Sequence, residues 1–466
     1  MYIPHGRGFV DRDEVTVRTR DSVPKCYIYL ISLRNIVLYL DLPGICPRVS
    51  PLKLFNKEQI STIKANSLKN RATHIVVGIT SPQTCLVLGG RLRALREAGF
   101  RVTLVASPGH RLDRTGESEG IDTFDVPMAR SVAPFSDVLS FFRLWYLLIR
   151  LRPDVVEFST PKAGLLGMLA AVLSGVRHRV YLLRGLRLES ATGFKRKLLL
   201  RVERMAAACA HVVVCVSPSL HTMSLALGLA PPAKLQMLGS GSSKGVDTEH
   251  FRPGMNDKRR RFGVPSDAKV IGFVGRFTRD KGIPVLLDTF ERVLQVMPKS
   301  YLLMVGWFDD GDDALDLKIR NRIAMHSHIV CTGFVEDTAP YYRAMDLLIL
   351  PTMREGFPNA VLEASATGIP VITTRTTGAC DSVVDSVTGM IVPGNPESIC
   401  GATVNLLQDP QKSKRMGSAG RAWVLQHFTD QRIFGLTTSF YKSLLRPSVV
   451  TVSGEEPAMD LAMRLR

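Results

Sequence analysis

Apolar and polar positions fall into a repeating rhythm from Arg71 onward. "THIVVGIT" is a short β-rich apolar run, and "LGGRLRALREAGFRVTLVAS" adds a helix, a glycine turn and a second strand. "DVLSFFRLWYLLIRLRPDVVEFST", "AGLLGMLAAVLSGVRHRVYLLRG" and "RVERMAAACAHVVVCVSPS" each repeat helix then strand. Strands that are apolar throughout and alternate with helices predict a parallel sheet covered on both faces. The rhythm breaks at residues 238–267, "LGSGSSKGVDTEHFRPGMNDKRRRFGVPSD", a stretch rich in Gly, Ser, Pro and charge that reads as an interdomain linker. It restarts with "KVIGFVGRF", the helix "GIPVLLDTFERVLQVM", "SYLLMVGWF", "HIVCTGFV", "MDLLILPT", a helix after Pro358, and "PVITT".

The pattern therefore predicts an α/β chain of two doubly wound, Rossmann-like domains facing across a cleft. The carboxyl ends of both sheets would line that cleft, where open α/β sheets bind ligands. The expected boundaries are an irregular extension at 1–70, a first domain at 71–248, a second at 249–430, a closing helix at 431–446 and a tail at 447–466. A length of 466 residues suits two cores rather than one.

Composition narrows the possibilities. Apolar residues make up 45% and charged residues 22%, which fits a folded globular protein and excludes a disordered one. Eight scattered cysteines form no C-x-x-C pair, so reduced thiols are expected, with no disulfide frame and no zinc site. No run reaches the roughly 18–20 apolar residues that span a bilayer. The best candidate, Tyr27–Leu42, is interrupted by Arg34 and Asn35. The expected location is the cytoplasm, on the inner face of the cell membrane. The formal charge is +18, and residues 71–255 hold 24 basic against 13 acidic side chains. An excess concentrated in the first domain favours an anionic partner: nucleic acid, a lipid surface or a phosphorylated substrate.

Two motifs invite metal or phosphate readings and do not sustain them. "GSGSSKG" at 239–245 fits neither G-x-G-x-x-G nor G-x-x-x-x-G-K-[ST], and no helix follows. "DDGDD" at 309–313 could hold a cation through Asp310 and Asp312, but a solvated acidic loop is the commoner reading.

Candidate chemistry centres on "EGFPNAVLEASATGIPVIT", residues 355–373. Glu355 falls in the loop at a strand's carboxyl end, and Glu363 in the second turn of the next helix. The amides of about Phe357 to Val361 would leave an anion site at the helix start. A carboxylate on either side of an anion site suits the two sets of hydroxyls that flank a diphosphate in a nucleotide sugar. "GFVGRFTRDKG", 272–282, supplies Arg276 and Lys281 at another strand end, where two cations can neutralise a leaving diphosphate.

Together these residues resemble the retaining glycosyltransferases of family 4, which have the GT-B fold. "VGITSPQTCLVLGGRLRALREAGFRV", "FSTPKAGLLG", "YLLRGLRLES" and "GSGSSKGVDTEHF" resemble the bacterial branch that builds capsular, O-antigen or lipid-linked saccharides. The resemblance covers roughly residues 73–440. It implies that Glu363 binds the ribose and Glu355 the donor sugar. Arg276 and Lys281 would hold the diphosphate, and Gly275, Gly356, Phe357, Pro358 and Asn359 would support phosphate and sugar. On the facing side it implies the loop Thr80–Thr84, with Thr80 and Ser81, and the stretch from Ser159 to Lys162. It further implies a donor used as substrate, no cofactor and no essential metal. Two departures stand out: there is no histidine near Glu157-Phe-Ser-Thr, and Lys244-Gly-Val-Asp replaces Asn-Gly-Val-Asp.

The reading is a retaining transferase moving a hexose or N-acetylhexosamine from a UDP sugar to a lipid-linked saccharide. A nucleotide-sugar 2-epimerase of the same fold is the rival enzyme. A basic nucleic-acid-binding protein is the rival from another class, and it lacks a binding motif. For a membrane-borne acceptor, Lys162, Arg184 and Arg187 could meet its diphosphate. "FKRKLLLRVERM", 194–205, is a basic amphipathic helix that fits either headgroups or plain solvent. The helix "FFRLWYLLIRLR", 141–152, adds Trp145, Tyr146 and three arginines to that membrane reading, although core packing is the commoner role for its aromatics.

Overall fold

The computed structural model describes residues 72–129, 133–255, 258–311 and 313–445. The extension expected at 1–70, the tail expected at 447–466 and Asp312 lie outside the described residues. From Ala72 the chain forms a compact unit of two parallel sheets, each doubly wound.

The first sheet has the order β3-β2-β1-β4-β5-β6-β7: β1 (His74–Gly78), β2 (Arg101–Ala106), β3 (Asp122–Asp125), β4 (Val155–Ser159), β5 (His178–Leu183), β6 (Val212–Cys215) and β7 (Leu235–Met237). Its helices are α1 (Arg91–Glu97), α2 (His110–Glu119), α3 (Pro134–Leu151), α4 (Pro161–Leu173), α5 (Gly193–Cys209) and α6 (Pro218–Ala226). Right-handed crossovers carry the chain one way from β1 to β3 and the other way from β3 to β6. Helices α1 and α2 therefore cover one face, and α3, α4 and α5 the other. The central strands β1 and β4 are buried along their whole length, as a sheet covered on both faces requires.

The second sheet has the order β10-β9-β8-β11-β12-β13: β8 (Lys269–Val274), β9 (Ser300–Val305), β10 (Ile329–Cys331), β11 (Leu347–Leu350), β12 (Val371–Thr374) and β13 (Met390–Val392). The main helices here are α7 (Ile283–Val296), α8 (Leu317–Met325), α9 (Asn359–Thr367), α10 (Pro396–Gln408) and α11 (Pro410–His427). Helix α12 (Asp430–Leu445) follows α11 directly. The two break at Phe428 and Thr429, where Val246 and Thr429 bridge.

Helix α12 returns to the first sheet. Its Tyr441 is buried, and its hydroxyl donates to Glu157 of β4. Glu157 also receives Arg91 of α1 through both guanidinium ends, at 2.7 and 2.5 Å. This buried trio fastens helices α1 and α12 to the sheet.

Each sheet reverses its order at one point, between β1 and β4 in the first and between β8 and β11 in the second. The loops leaving these four strands are where ligand chemistry is expected.

Candidate active site

On the second sheet, the loops after β8, β9 and β11 lie backbone against backbone. Gly282 (φ +75°) caps α7, and a Cβ there would sit 1.9 Å from the Pro351 carbonyl oxygen. A Cβ on Gly306 would lie 1.8 Å from the carbonyl oxygen of Gly275. Only glycine permits this approach, and it brings the candidate charges together. Lys281 is ion-paired with Glu355, and Arg276 with Asp309. Both expected cations therefore sit at the strand ends with a carboxylate partner already in place.

Arg354, not anticipated from the sequence, sits one residue before Glu355. It reaches Asp280 at 2.8 Å, Asp313 at 3.3 Å and, through Nε, Ser190 Oγ of the first half at 3.0 Å. The acidic loop is thus a set of arginine partners: Asp309 for Arg276, Asp310 for Arg320 (2.7 Å) and Asp313 for Arg354. Among the described residues no group of three metal-ligating side chains occurs.

Helix α9 starts directly after Pro358. Pro358 is its N-cap rather than its first helical residue, and no side chain caps the turn. The Val361 amide bonds back to the Pro358 carbonyl, at 3.2 Å. The helix start at Asn359 and Ala360 has no side-chain cap, a position that attracts anions. Glu355 precedes this turn and Glu363 follows it. Glu363 Oε2 accepts the Tyr342 hydroxyl at 2.9 Å. Burial pushes the Glu363 carboxyl above its ordinary value, against the opposing charge of Lys244 and the Tyr342 bond. Lys244, the second departure from the resembling family, therefore acts on the very carboxylate expected at the ribose.

The first sheet supplies the opposite wall. Thr80 Oγ1 meets Thr160 Oγ1 at 2.7 Å and accepts the Ala163 amide at 3.1 Å. Thr160 holds φ +72°, a conformation costly for a β-branched residue, at the cleft end of β4. Thr80 thus fastens a strained turn, and Ser81 bonds Gln83 within its own loop. Ser159 is buried, and its hydroxyl has no hydrogen-bond partner among the described residues.

The three bases expected to meet an acceptor diphosphate differ. Lys162 pairs with Asp137 of α3 at 2.6 Å. Arg187 opens a 3-10 turn at Arg187–Ser190, partly exposed. Arg184 lies at the seam itself. Its Nη1 donates to Ser243 Oγ at 2.7 Å, while buried Nε and Nη2 have no partner among the described residues. Burial, reinforced by Arg91, lowers its pKa to about 10, so it stays charged at neutral pH. A Cβ on Gly356 would lie 2.1 Å from the Arg184 carbonyl oxygen. The candidate donor loop and the candidate acceptor arginine are in direct contact.

A second clasp lies nearby. Asp381 accepts the amide of Ser219 at 3.0 Å and its hydroxyl as well, and Ser219 Oγ accepts the Gly378 amide at 2.7 Å. Neither Asp381 nor Ser219 carries a sequence signal, because the pairing joins the start of α6 to a turn 162 positions away.

Two doubly wound sheets with their switch-point loops in contact define a GT-B scaffold. Comparison with known proteins gives the class. Residues 88–241 match the glycosyl transferase 4-like domain, and residues 268–409 match glycosyl transferases group 1. A capsular polysaccharide biosynthesis glycosyltransferase of Staphylococcus aureus is 33% identical over 372 residues, 79% of this chain and 97% of that protein. A UDP-Gal:α-D-GlcNAc-diphosphoundecaprenol α-1,3-galactosyltransferase of Escherichia coli is 27% identical over 357 residues, 73% of this chain and 90% of that one. An Anabaena protein solved with UDP and glucose shares the fold with a TM-score of 0.67 at 19% identity, over 80% of this chain and all of that one. The chain belongs to the group 1 glycosyltransferases.

Proposed function

We propose that the protein moves a hexose or N-acetylhexosamine from a UDP sugar, with retention, to a saccharide carried on a lipid diphosphate. The work would be done at the cytoplasmic face of the membrane, in surface polysaccharide assembly. The observation that carries this reading is the strip Arg276, Lys281–Glu355 and the uncapped start of α9, set against Arg184. The capsule role of the S. aureus relative, the lipid-linked acceptor of the E. coli relative and the UDP and glucose bound to the Anabaena protein support it.

In this reading Arg276, Lys281 and the amides at the start of α9 neutralise the diphosphate, most strongly as the bond to the sugar breaks. Glu355, held by Lys281, accepts hydroxyls of the donor sugar, and Glu363 accepts those of the ribose. The Lys281 pairing makes Glu355 a poor nucleophile. The acceptor hydroxyl attacks the face from which the diphosphate leaves, and a donor phosphate oxygen takes its proton. Arg184 receives the acceptor's phosphate.

Thermal unfolding with a panel of nucleotides tests the donor half. UDP at about 100 times its Kd should stabilise the fold by about 2.7 kcal/mol. Glu363→Ala should weaken UDP binding about 10- to 100-fold, the scale of hydrogen bonds to a charged group, while leaving the unliganded melting temperature near wild type. Because the Glu363 carboxyl titrates above its ordinary value in the unliganded protein, UDP affinity should fall on mild acidification and recover at neutral pH. Absence of any UDP effect on wild-type melting would overturn the donor assignment.

Activity should also survive EDTA, because the aspartates closest to the diphosphate strip are committed to arginines. Loss of activity in EDTA, restored by manganese or magnesium, would contradict that reading.

A further inference from the structure

Helix α3 is apolar on two sides. Leu144, Leu147, Leu148 and Leu151 face the core. Yet Phe135 is 94% exposed, Val138 57%, Leu139 41% and Phe142 51%. The spacing i, i+3, i+4, i+7 makes them one continuous outward stripe, where a water-facing helix would be polar. Ile149 is also exposed, farther along the helix. The aromatics of 141–152 expected in the core are not buried there: Phe142 is exposed and Phe141, Trp145 and Tyr146 are half-buried, while the leucines fill the inner side.

Helix α4 packs between α3 and α5, and its last residues, Val172 and Leu173, are exposed. On α5, Phe194 is 75% exposed, with Leu198 and Met205 also open and Lys195, Arg196, Lys197, Arg201 and Arg204 around them. The three helices carry two acids, and both are turned away from this surface. Asp137 pairs with Lys162, and Glu203 is buried against the Tyr181 hydroxyl at 2.6 Å. The outward face is therefore apolar and basic with no acidic counterweight.

Its placement follows from topology. Helices α3 and α5 start at the carboxyl ends of their strands, so Phe135, Val138, Phe194 and Leu198 lie toward the cleft end of the domain. We infer that the α3–α5 face docks on an anionic lipid surface. The α3 stripe enters the headgroup boundary, and the α5 bases meet lipid phosphates. No helix of the described residues is long and apolar enough to cross a membrane, so this contact would be interfacial. A second copy of the chain is a poorer occupant, since two such faces would oppose like charges. The inference takes its purpose, delivery of a lipid-borne acceptor to the cleft, from the function proposed above, but the surface is testable without it.

The test is flotation of the full chain with phosphatidylcholine vesicles and with vesicles containing phosphatidylglycerol, at low and high salt. The wild type should bind the anionic vesicles, bind neutral ones at least tenfold more weakly, and release in high salt. Val138→Ser with Phe142→Ser, and separately Lys197→Glu with Arg201→Glu, should each lower vesicle affinity tenfold or more. Both pairs should keep the wild-type melting temperature and its shift with UDP, which separates lost docking from lost folding. Equal failure of the wild type to bind either vesicle at low salt would overturn the inference. So would unchanged vesicle binding by both pairs, or a wild-type dimer that the serine pair dissociates without loss of vesicle binding. Vesicle binding without any UDP effect would leave the docking surface standing and remove the proposed function instead.

Discussion

Arg276→Ala is expected to lower kcat about 10²- to 10³-fold, the scale seen when one preorganised charge contact to a developing anion is removed. The effect should fall mainly on kcat, because Arg276 would meet the diphosphate most strongly as the leaving charge develops. Its pairing with Asp309 supports this. The carboxylate holds the guanidinium at the end of β8 before the donor arrives, so little reorganisation is needed at the moment of reaction. Lys281→Ala should behave similarly and also release Glu355, so the donor's KM should rise with it. Arg276→Lys should recover part of the loss, since it keeps the charge and loses the fork. Wild-type kcat and KM in Arg276→Ala would remove this residue from the site.

The largest stability effect is expected at Glu157. Arg91 and Glu157 are both almost fully buried, and Tyr441 completes the cluster from α12. Removing one partner of a buried pair leaves an uncompensated charge and costs about 3–5 kcal/mol. Glu157→Ala should lose that much in urea unfolding, and Arg91→Ala a comparable amount. The double variant Arg91→Met with Glu157→Leu should recover most of it, because no buried charge remains. A cost below about 1 kcal/mol for Glu157→Ala would contradict a structural role for the cluster. The pH dependence has a definite sign. Burial opposes the charged Glu157 carboxyl, Arg91 outweighs that opposition, and the folded pKa lies below the ordinary 4.5. The stabilisation is therefore complete above pH 4.5 and is lost as pH falls through the folded value.

The double-wound architecture was legible because fully buried parallel strands write uninterrupted apolar runs between helices. The strands that left no such run are β3, β7 and β13. All three close a sheet at its margin, and each is three or four residues long. Edge strands bury less, so "DTFD" at 122–125 carries mostly polar residues. Helix α3 misled in the opposite direction. Its aromatic content suggested core, but hydrophobicity alone does not say which side of a helix meets solvent.

The candidate site was legible where a single loop carries its chemistry, as at Glu355 to Glu363 and at Arg276 to Lys281. It was not legible where partners come from distant loops. Asp309 reads as one of several acids in a turn until the fold puts it against Arg276. Thr80 and Lys162 read as facing-side ligands, but the fold commits them to Thr160 and Asp137. Arg184 gained weight for the converse reason: two of its buried nitrogens find no partner among the described residues.

Proton NMR of the product made from a UDP sugar and an undecaprenyl-diphosphate-linked saccharide tests the central claim most directly. The expected result is an α-linked sugar on the lipid-linked acceptor, with one UDP released for each linkage formed. A β-linked product would contradict retention. UDP release that leaves no new saccharide linkage would contradict transfer itself and favour epimerase chemistry on the same fold.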